Sequence, residues 1–171
     1  MVLAQEFAFI DSKLHDLKGF DCGKPEMNQY LTRFAPKHSG LISYTWVLPE
    51  TEIRQKGKVR IAAYFTLASA TVSRDEIPYE GSLPRYPVPV ILLARLAIDR
   101  NFQGQNLGGK TLITSLRKAS EMERNGLPAL GLILDVLDED ALGFYQHYDM
   151  FEQFTDDPMR LFISMSVVHQ I

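Results

Sequence analysis

Two stretches of the chain are almost wholly apolar, Val90-Ile91-Leu92-Leu93-Ala94-Arg95-Leu96-Ala97-Ile98 and Leu130-Gly131-Leu132-Ile133-Leu134-Asp135-Val136, the pattern of central strands buried on both faces. Between them Leu112, Leu116, Ala119 and Met122 recur at helical spacing and stop at Asn125-Gly126, a helix-ending pair. Strand, loop, helix and strand make a βαβ unit, for which a right-handed crossover is expected. Upstream, Ser43–Leu48 and Val59–Leu67 are β-rich, and the polar stretch between them, with Pro49 and Gly57, predicts an antiparallel hairpin. Glu6–Ile10 predicts a short strand and Phe20-Asp21-Cys22-Gly23 a turn. Pro25 suits a first helical position ahead of Met27, Tyr30, Leu31 and Phe34. Pro78, Gly81, Pro84, Pro87 and Pro89 forbid regular helix over 78–89 and predict a surface loop. A short helix (Glu139 to His147) and a last strand (Met159 to Val167) complete one α/β (α+β) domain over residues 1–171, a mixed sheet flanked by helices.

Composition agrees with this picture: 171 residues, 46% hydrophobic and 23% charged, suit one globular domain with a sizeable core. Met1 to Glu6 shows no basic leader and no run approaches the ~20 apolar residues of a membrane span, so a soluble, cytoplasmic protein is expected. A single cysteine, Cys22, excludes an internal disulfide and disfavours a zinc site, and no metal is expected. His15, His38, His147 and His169 fit no ligand spacing and are expected at the surface. Net charge is −3 but unevenly spread: residues 1–74 carry ten Lys/Arg against seven Asp/Glu, residues 75–171 eight against fourteen. A polyanionic partner is therefore expected on the N-terminal half.

After Asp99-Arg100 the chain passes through Gln103-Gly104-Gln105-Asn106-Leu107-Gly108-Gly109 into the helical stripe. A glycine-rich passage from strand to helix presents backbone N–H groups at a positive helix terminus, an anion cradle, although the same pattern also serves as a turn without ligand. The Gly-x-Gly-x-x-Gly of a dinucleotide fold is absent, whereas Gly104-x-x-x-x-Gly109-Lys110-Thr111 carries the letters of a P-loop, so the glycines and the lysine by themselves point only to a phosphate ligand. The spacing Gln103-x-x-Asn106-x-Gly108 resembles the Gln/Arg-x-x-Gly-x-Gly/Ala motif of the GCN5-related N-acetyltransferases (GNAT). That resemblance implies the GNAT fold, a mixed, mostly antiparallel sheet with a splayed central parallel pair flanked by helices. It also implies acetyl-CoA as acetyl donor, held by Leu96, Ala97 and Ile98 on the strand and by Gln103, Gly104, Gln105, Asn106, Leu107, Gly108 and Gly109 on the loop. Asn106 stands where the family has glycine, and so does Asp149 in Phe144-Tyr145-Gln146-His147-Tyr148-Asp149-Met150, which resembles Phe-Tyr-x-x-x-Gly-Phe. Both residue types tolerate a left-handed backbone, so a retained backbone path is expected.

Aminolysis of a thioester needs a neutral amine, an N–H to polarise the carbonyl and a proton for the departing thiolate, but no covalent intermediate. The resemblance assigns that proton to Tyr145, whose side-chain type, with a reference pKa of about 10, stays protonated at neutral pH. The alternative is a core aromatic like Phe144. Asp138 either contacts the pantetheine arm or, as the favoured reading, caps the helix begun by Glu139-Asp140. No motif places a histidine beside Cys22, which reads as a structural thiol.

Phe20-Asp21-Cys22-Gly23 with Met27-Asn28-Gln29-Tyr30-Leu31, the stretch Tyr86 to Arg100, and Asp156-Asp157-Pro158-Met159-Arg160-Leu161-Phe162 narrow the resemblance to the GNAT toxins of bacterial type II toxin–antitoxin pairs. It implies acetylation of the α-amino group of aminoacyl-tRNA, a block of translation, neutralisation by a ribbon-helix-helix antitoxin, and a homodimer. An α-amino group, with a pKa of about 8, is partly neutral at physiological pH, which agrees with the absence of an obvious base. Lys13, Lys18, Lys24, Arg33, Lys37, Arg54, Lys56, Lys58 and Arg60 either form a tRNA surface or merely solvate exposed faces. The acidic total charge keeps open an acetyltransferase for a small amine or a protein N-terminus, and Asn106 with Asp149 a catalytically silent CoA- or antitoxin-binding module.

Overall fold

The structure, a computed structural model, describes residues 2–171, with the backbone alone of Gln55. Its strands are β1 (Ala8–Phe9), β2 (His15–Asp16), β3 (Tyr44–Ile53), β4 (Val59–Val72), β5 (Val88–Ile98), β6 (Gly131–Asp135), β7 (Glu152–Gln153) and β8 (Arg160–Ser164). Its helices are α1 (Pro25–Gln29), α2 (Ala35–His38), α3 (Leu107–Arg124), α4 (Glu139–Gln146) and α5 (Met165–Val168). The strands follow the order β1-β3-β4-β5-β6-β8-β7, with β2 beside β4, in a mostly antiparallel sheet whose central β5 and β6 run parallel. This is the fold class expected from the sequence. The chain divides into two compact units, Met1–Ala68 with Arg95–Thr114, and Ser69–Ala94 with Ser115–Ile171.

In the first unit the antiparallel β3–β4 pair carries an aromatic ladder, with Phe9 stacked 5.1 Å from Trp46 and Trp46 stacked 5.1 Å from Phe65. Pro49 lies inside β3 rather than in the connection, at a register shift, where its missing N–H leaves no ladder bond unmade. The turn itself lies at Gln55–Gly57, with Lys56 and Gly57 both at positive φ. The helix opened by Pro25 does not run straight through to Phe34. It widens to a π turn over Tyr30–Phe34 before α2, which absorbs Pro36 in the helical path. The widened turn keeps Tyr30, Leu31 and Ala35 in the core with Leu17, Phe20, Val47, Ile61, Tyr64 and Ala97, and turns Phe34 out to 46% exposure. The Tyr64 hydroxyl, deep in this core, donates to the Met27 carbonyl at 2.7 Å and holds the helical segment against the sheet.

In the second unit Val72, Ile77, Val88, Val90, Ile133, Phe154 and Phe162 form one buried cluster. Among the described residues the parallel register pairs Ile91 with Leu132 and Leu92 with Ile133, and β5 continues to Ile98. Burial on both faces holds for Val90, Ile91 and Leu93, whereas Ala94, Arg95, Leu96 and Ile98 are half-exposed. The helix α3 ends as expected: Gly126, at φ 112°, donates to Glu123 while Leu127 donates back to Met122, satisfying the last carbonyls. The final apolar run is not one strand: it leaves the sheet after Ser164, and Met165 and Val168, three apart, bury one face of α5.

A Cβ on Gly131 would collide with the Ile163 carbonyl and the Phe162 ring across the β6–β8 pair. Gly131→Ala is expected to lower unfolding free energy by about 1–3 kcal/mol, read from a urea melt as a lower midpoint at unchanged slope.

Candidate functional site

The loop expected to cradle an anion lies wholly in the first unit. Phe102 and Leu107, both buried with Leu48, Ala62 and Ala63, anchor its two ends, while Gln103, Gly104, Gln105 and Asn106 stand exposed between them. Asn106 adopts φ 59° and Gly104 φ 81°, so the backbone turns left-handed where the motif calls for glycine. Nothing lies within 4 Å of a Cβ built on Gly104, which leaves that side of the backbone open. At the start of α3 the Lys110 N–H donates to the Asn106 carbonyl at 3.3 Å. The N–H groups of Leu107, Gly108 and Gly109 precede it, and a helix has no internal partner for such groups. They offer donors at the positive end of an 18-residue helix, and the residues present therefore fit a pyrophosphate.

The stem of this loop is held by groups whose joint role the sequence did not reveal. Asp99, 2% exposed, accepts from the backbone N–H of Asp21 and of Asn101, each at 2.9 Å. Arg100 N–H donates to the Asp21 carbonyl at 2.8 Å. The Gln103 amide donates to the Ile98 carbonyl at 2.9 Å and the Cys22 carbonyl at 3.2 Å. The Phe20–Gly23 turn is thereby sewn to the end of β5 and to the first residue of the loop. Asp21 also accepts from Gly23 N–H and the Asn28 amide, and these bonds hold its carboxyl below the usual range. Asp21 and Asp99 stand in the two motifs that the sequence singled out, but nothing in their spacing showed that one carboxylate would bind both segments.

Among the β5 residues expected at the site, Ala97 is buried and Leu96 and Ile98 are half-exposed. Cys22 is half-buried, and burial pushes its thiol up, away from the thiolate needed for nucleophilic attack. Tyr145 belongs to the second unit, on α4, 7% exposed and packed edge-on against Phe144 and Phe151 at 5.0 and 5.7 Å. Burial pushes its hydroxyl well above the ordinary tyrosine value, so it remains a proton donor at alkaline pH. Asp138 caps α4, its carboxylate accepting from Ala141 N–H at 2.9 Å. Asp149, at φ 44°, takes the left-handed conformation expected of a glycine position.

The histidines depart from the expectation of surface positions. His15 is 4% exposed and its Nδ1 accepts from the Asp11 N–H at 3.0 Å, with burial holding its pKa below the ordinary value. His38 and His169 are half-buried, the latter between Ser120 at 2.8 Å and Glu123 at 2.7 Å, and His147 alone is exposed. Each of the three buried or half-buried rings satisfies a local polar group, a role that ligand spacing cannot reveal. Among the described residues no cluster of His, Cys, Asp or Glu could hold a metal ion, and no helix is long and apolar enough to cross a membrane.

No protein-family model matches the chain. It is similar to a protein of Mycobacterium tuberculosis named tRNA-acetylating toxin, 32% identical over 158 residues that cover 90% of this chain and 89% of the relative. Of the solved structures, a mutant of KacT is 26% identical with a TM-score of 0.87 and 99% of each chain covered. AtaT complexed with acetyl-methionyl-tRNAfMet is 25% identical with a TM-score of 0.82 and 98% of each chain covered.

The left-handed residue at position 106 generates a graded expectation. Asn106→Gly is expected to bind acetyl-CoA at least as tightly as the parent chain. Asn106→Val, a β-branched side chain forced to positive φ, is expected to lose about 1–2 kcal/mol, or about 5–30-fold in affinity by calorimetry. Equal affinities for the parent and the valine variant would show that this backbone conformation does not matter to binding.

Proposed function

Since the chain belongs to the family of tRNA-acetylating toxins, we propose that it transfers the acetyl group of acetyl-CoA to the α-amino group of an aminoacyl-tRNA and so blocks translation. The observation that carries this reading is the loop from Gln103 to Gly109, which turns left-handed at Asn106 where the acetyl-CoA motif has glycine and leads its N–H groups into α3. These N–H groups hold the pyrophosphate, and the backbone of Leu96, Ala97 and Ile98 lies along the pantetheine and polarises the thioester carbonyl.

In the reaction the amine lone pair attacks the thioester carbonyl carbon, forming the C–N bond. The tetrahedral adduct collapses with cleavage of the C–S bond, the electron pair leaves on sulfur, and the Tyr145 hydroxyl gives the thiolate its proton. The amine nitrogen loses a proton to water, and water restores the proton of Tyr145. Burial raises the Tyr145 hydroxyl, so it is protonated over the whole neutral range.

The whole chain, residues 1–171, acts as one acetyltransferase domain in the bacterial cytoplasm, where charged tRNA is found. It is held inactive by a cognate antitoxin of the ribbon-helix-helix type and works as a homodimer. Of the cationic side chains weighed for RNA contact, Arg54 is committed to Glu50 at 2.9 Å and Arg60 lies over the Phe102 ring, whereas Lys13, Lys18, Arg33 and Lys37 stand exposed.

Incubation with labelled acetyl-CoA and total charged tRNA is expected to place label on the RNA alone, while label on free amines or protein would overturn the substrate assignment. Tyr145→Phe is expected to lower kcat about 100-fold or more with little change in the KM for acetyl-CoA. The rate should rise with pH as the α-amino group, with a pKa of about 8, loses its proton. Because the folded-state value of Tyr145 is raised, its proton is retained through that rise, and no descending limb from this group is expected below a pH of about 10.

A further inference from the structure

In the second unit a cavity of about 580 Å³ lies between the end of β4 and the proline-rich loop, with Arg74, Asp75, Glu76, Arg85 and Tyr86 among its lining residues. That volume falls in the range of small-molecule sites, about 300–1,000 Å³. The wall on one side is built in. The Arg74 guanidinium donates to the Leu83 carbonyl at 3.0 Å and stands 3.8 Å from the Asp75 carboxylate, while Leu83 packs on the core. The other side is presented outward with nothing to hold. Arg85 is exposed and makes no hydrogen bond or ion pair among the described residues, and Tyr86 is 76% exposed. Pro84 and Pro87 bracket these two residues and fix φ on either side, so little backbone entropy is lost when a ligand settles on them.

The chemistry of the lining selects among ligands. An exposed aromatic face takes a planar base by stacking, and a free guanidinium takes a phosphate through paired N–H donors. Asp75 and Glu76 carry only acceptors when ionised, which repels a second phosphate but suits the exocyclic amine of cytosine or adenine. An acidic peptide would meet these two carboxylates.

We propose that this cavity receives a nucleotide of the unpaired 3′ end of the RNA substrate, with its base on Tyr86, its phosphate on Arg85 and its exocyclic amine toward Asp75 and Glu76. The assignment rests on the RNA-acetylating reading and places one RNA contact outside the N-terminal half, where the charge distribution alone pointed.

Three measurements test it. Steady-state acetylation of charged tRNA should show the KM for tRNA raised about 10-fold in Arg85→Ala and in Tyr86→Ala, with Tyr86→Phe near the parent value. The KM for acetyl-CoA should not move. The salt slope of tRNA affinity should fall by about one in Arg85→Ala. In direct titration, cytidine 5′-monophosphate should bind more tightly than uridine 5′-monophosphate and than inorganic phosphate, and Tyr86→Ala should abolish that preference. An unchanged tRNA KM in both alanine variants, a Tyr86→Phe as weak as Tyr86→Ala, or a raised KM for acetyl-CoA would overturn the proposal. Loss of antitoxin neutralisation with tRNA KM intact would also overturn it and give this surface to the protein partner. The two readings fail separately: a parent chain that labels no RNA sinks the acetylation reading, while base-selective nucleotide binding lost in Tyr86→Ala would still sustain the cavity assignment.

Discussion

One buried carboxylate governs the first unit. Asp99 stands where β5 leaves the sheet, and by accepting from Asp21 and Asn101 together it decides where the Phe20–Gly23 turn lies and where the loop begins. A carboxylate at 2% exposure is costly unless its lone pairs are met, and backbone N–H groups meet them without bringing in a second charge. The arrangement makes the start of the loop a consequence of folding. Gln103 adds two more ties at the same point, so the left-handed turn through Gly104 and Asn106 springs from a fixed stem.

What could be read from the sequence was whatever a short window of residues decides. The runs that became β5 and β6, the stripe Leu112, Leu116 and Ala119, and the stop at Asn125-Gly126 each depend on local period and local turn chemistry, and each appears in the structure. Features set by distant neighbours were hidden. Pro49 looked like a turn residue because the bulge that accommodates it exists only once β4 lies alongside. The π turn at Tyr30–Phe34 reconciles Pro36 with a core that wants Leu31 and Ala35, a conflict that no periodicity displays. The run after Met159 reads as one strand in the sequence because apolar residues two apart and three apart look alike over so short a span.

The candidate site was legible in the same uneven way. Glycine spacing located the loop, and Asn106 and Asp149 occupy positive φ as their positions in the two motifs suggested. Tyr145 could be named from its motif, but its burial between Phe144 and Phe151, which sets its proton affinity, is a property of packing. Arg85 and Tyr86 do not stand out as a pair in the sequence, because exposure without a partner has no signature there and a loop rich in proline looks merely irregular.

The ties made by Asp99 and Gln103 also set the order of events during synthesis. Their partners Asp21 and Cys22 lie 78 and 81 residues earlier in the chain, so the stem cannot close locally and must wait for more than half of the polypeptide to emerge. A nascent chain that has not yet released Gly109 has not completed this loop, however well its early hairpin has formed. This long-range closure ties completion of the loop to a late stage of the chain's own synthesis.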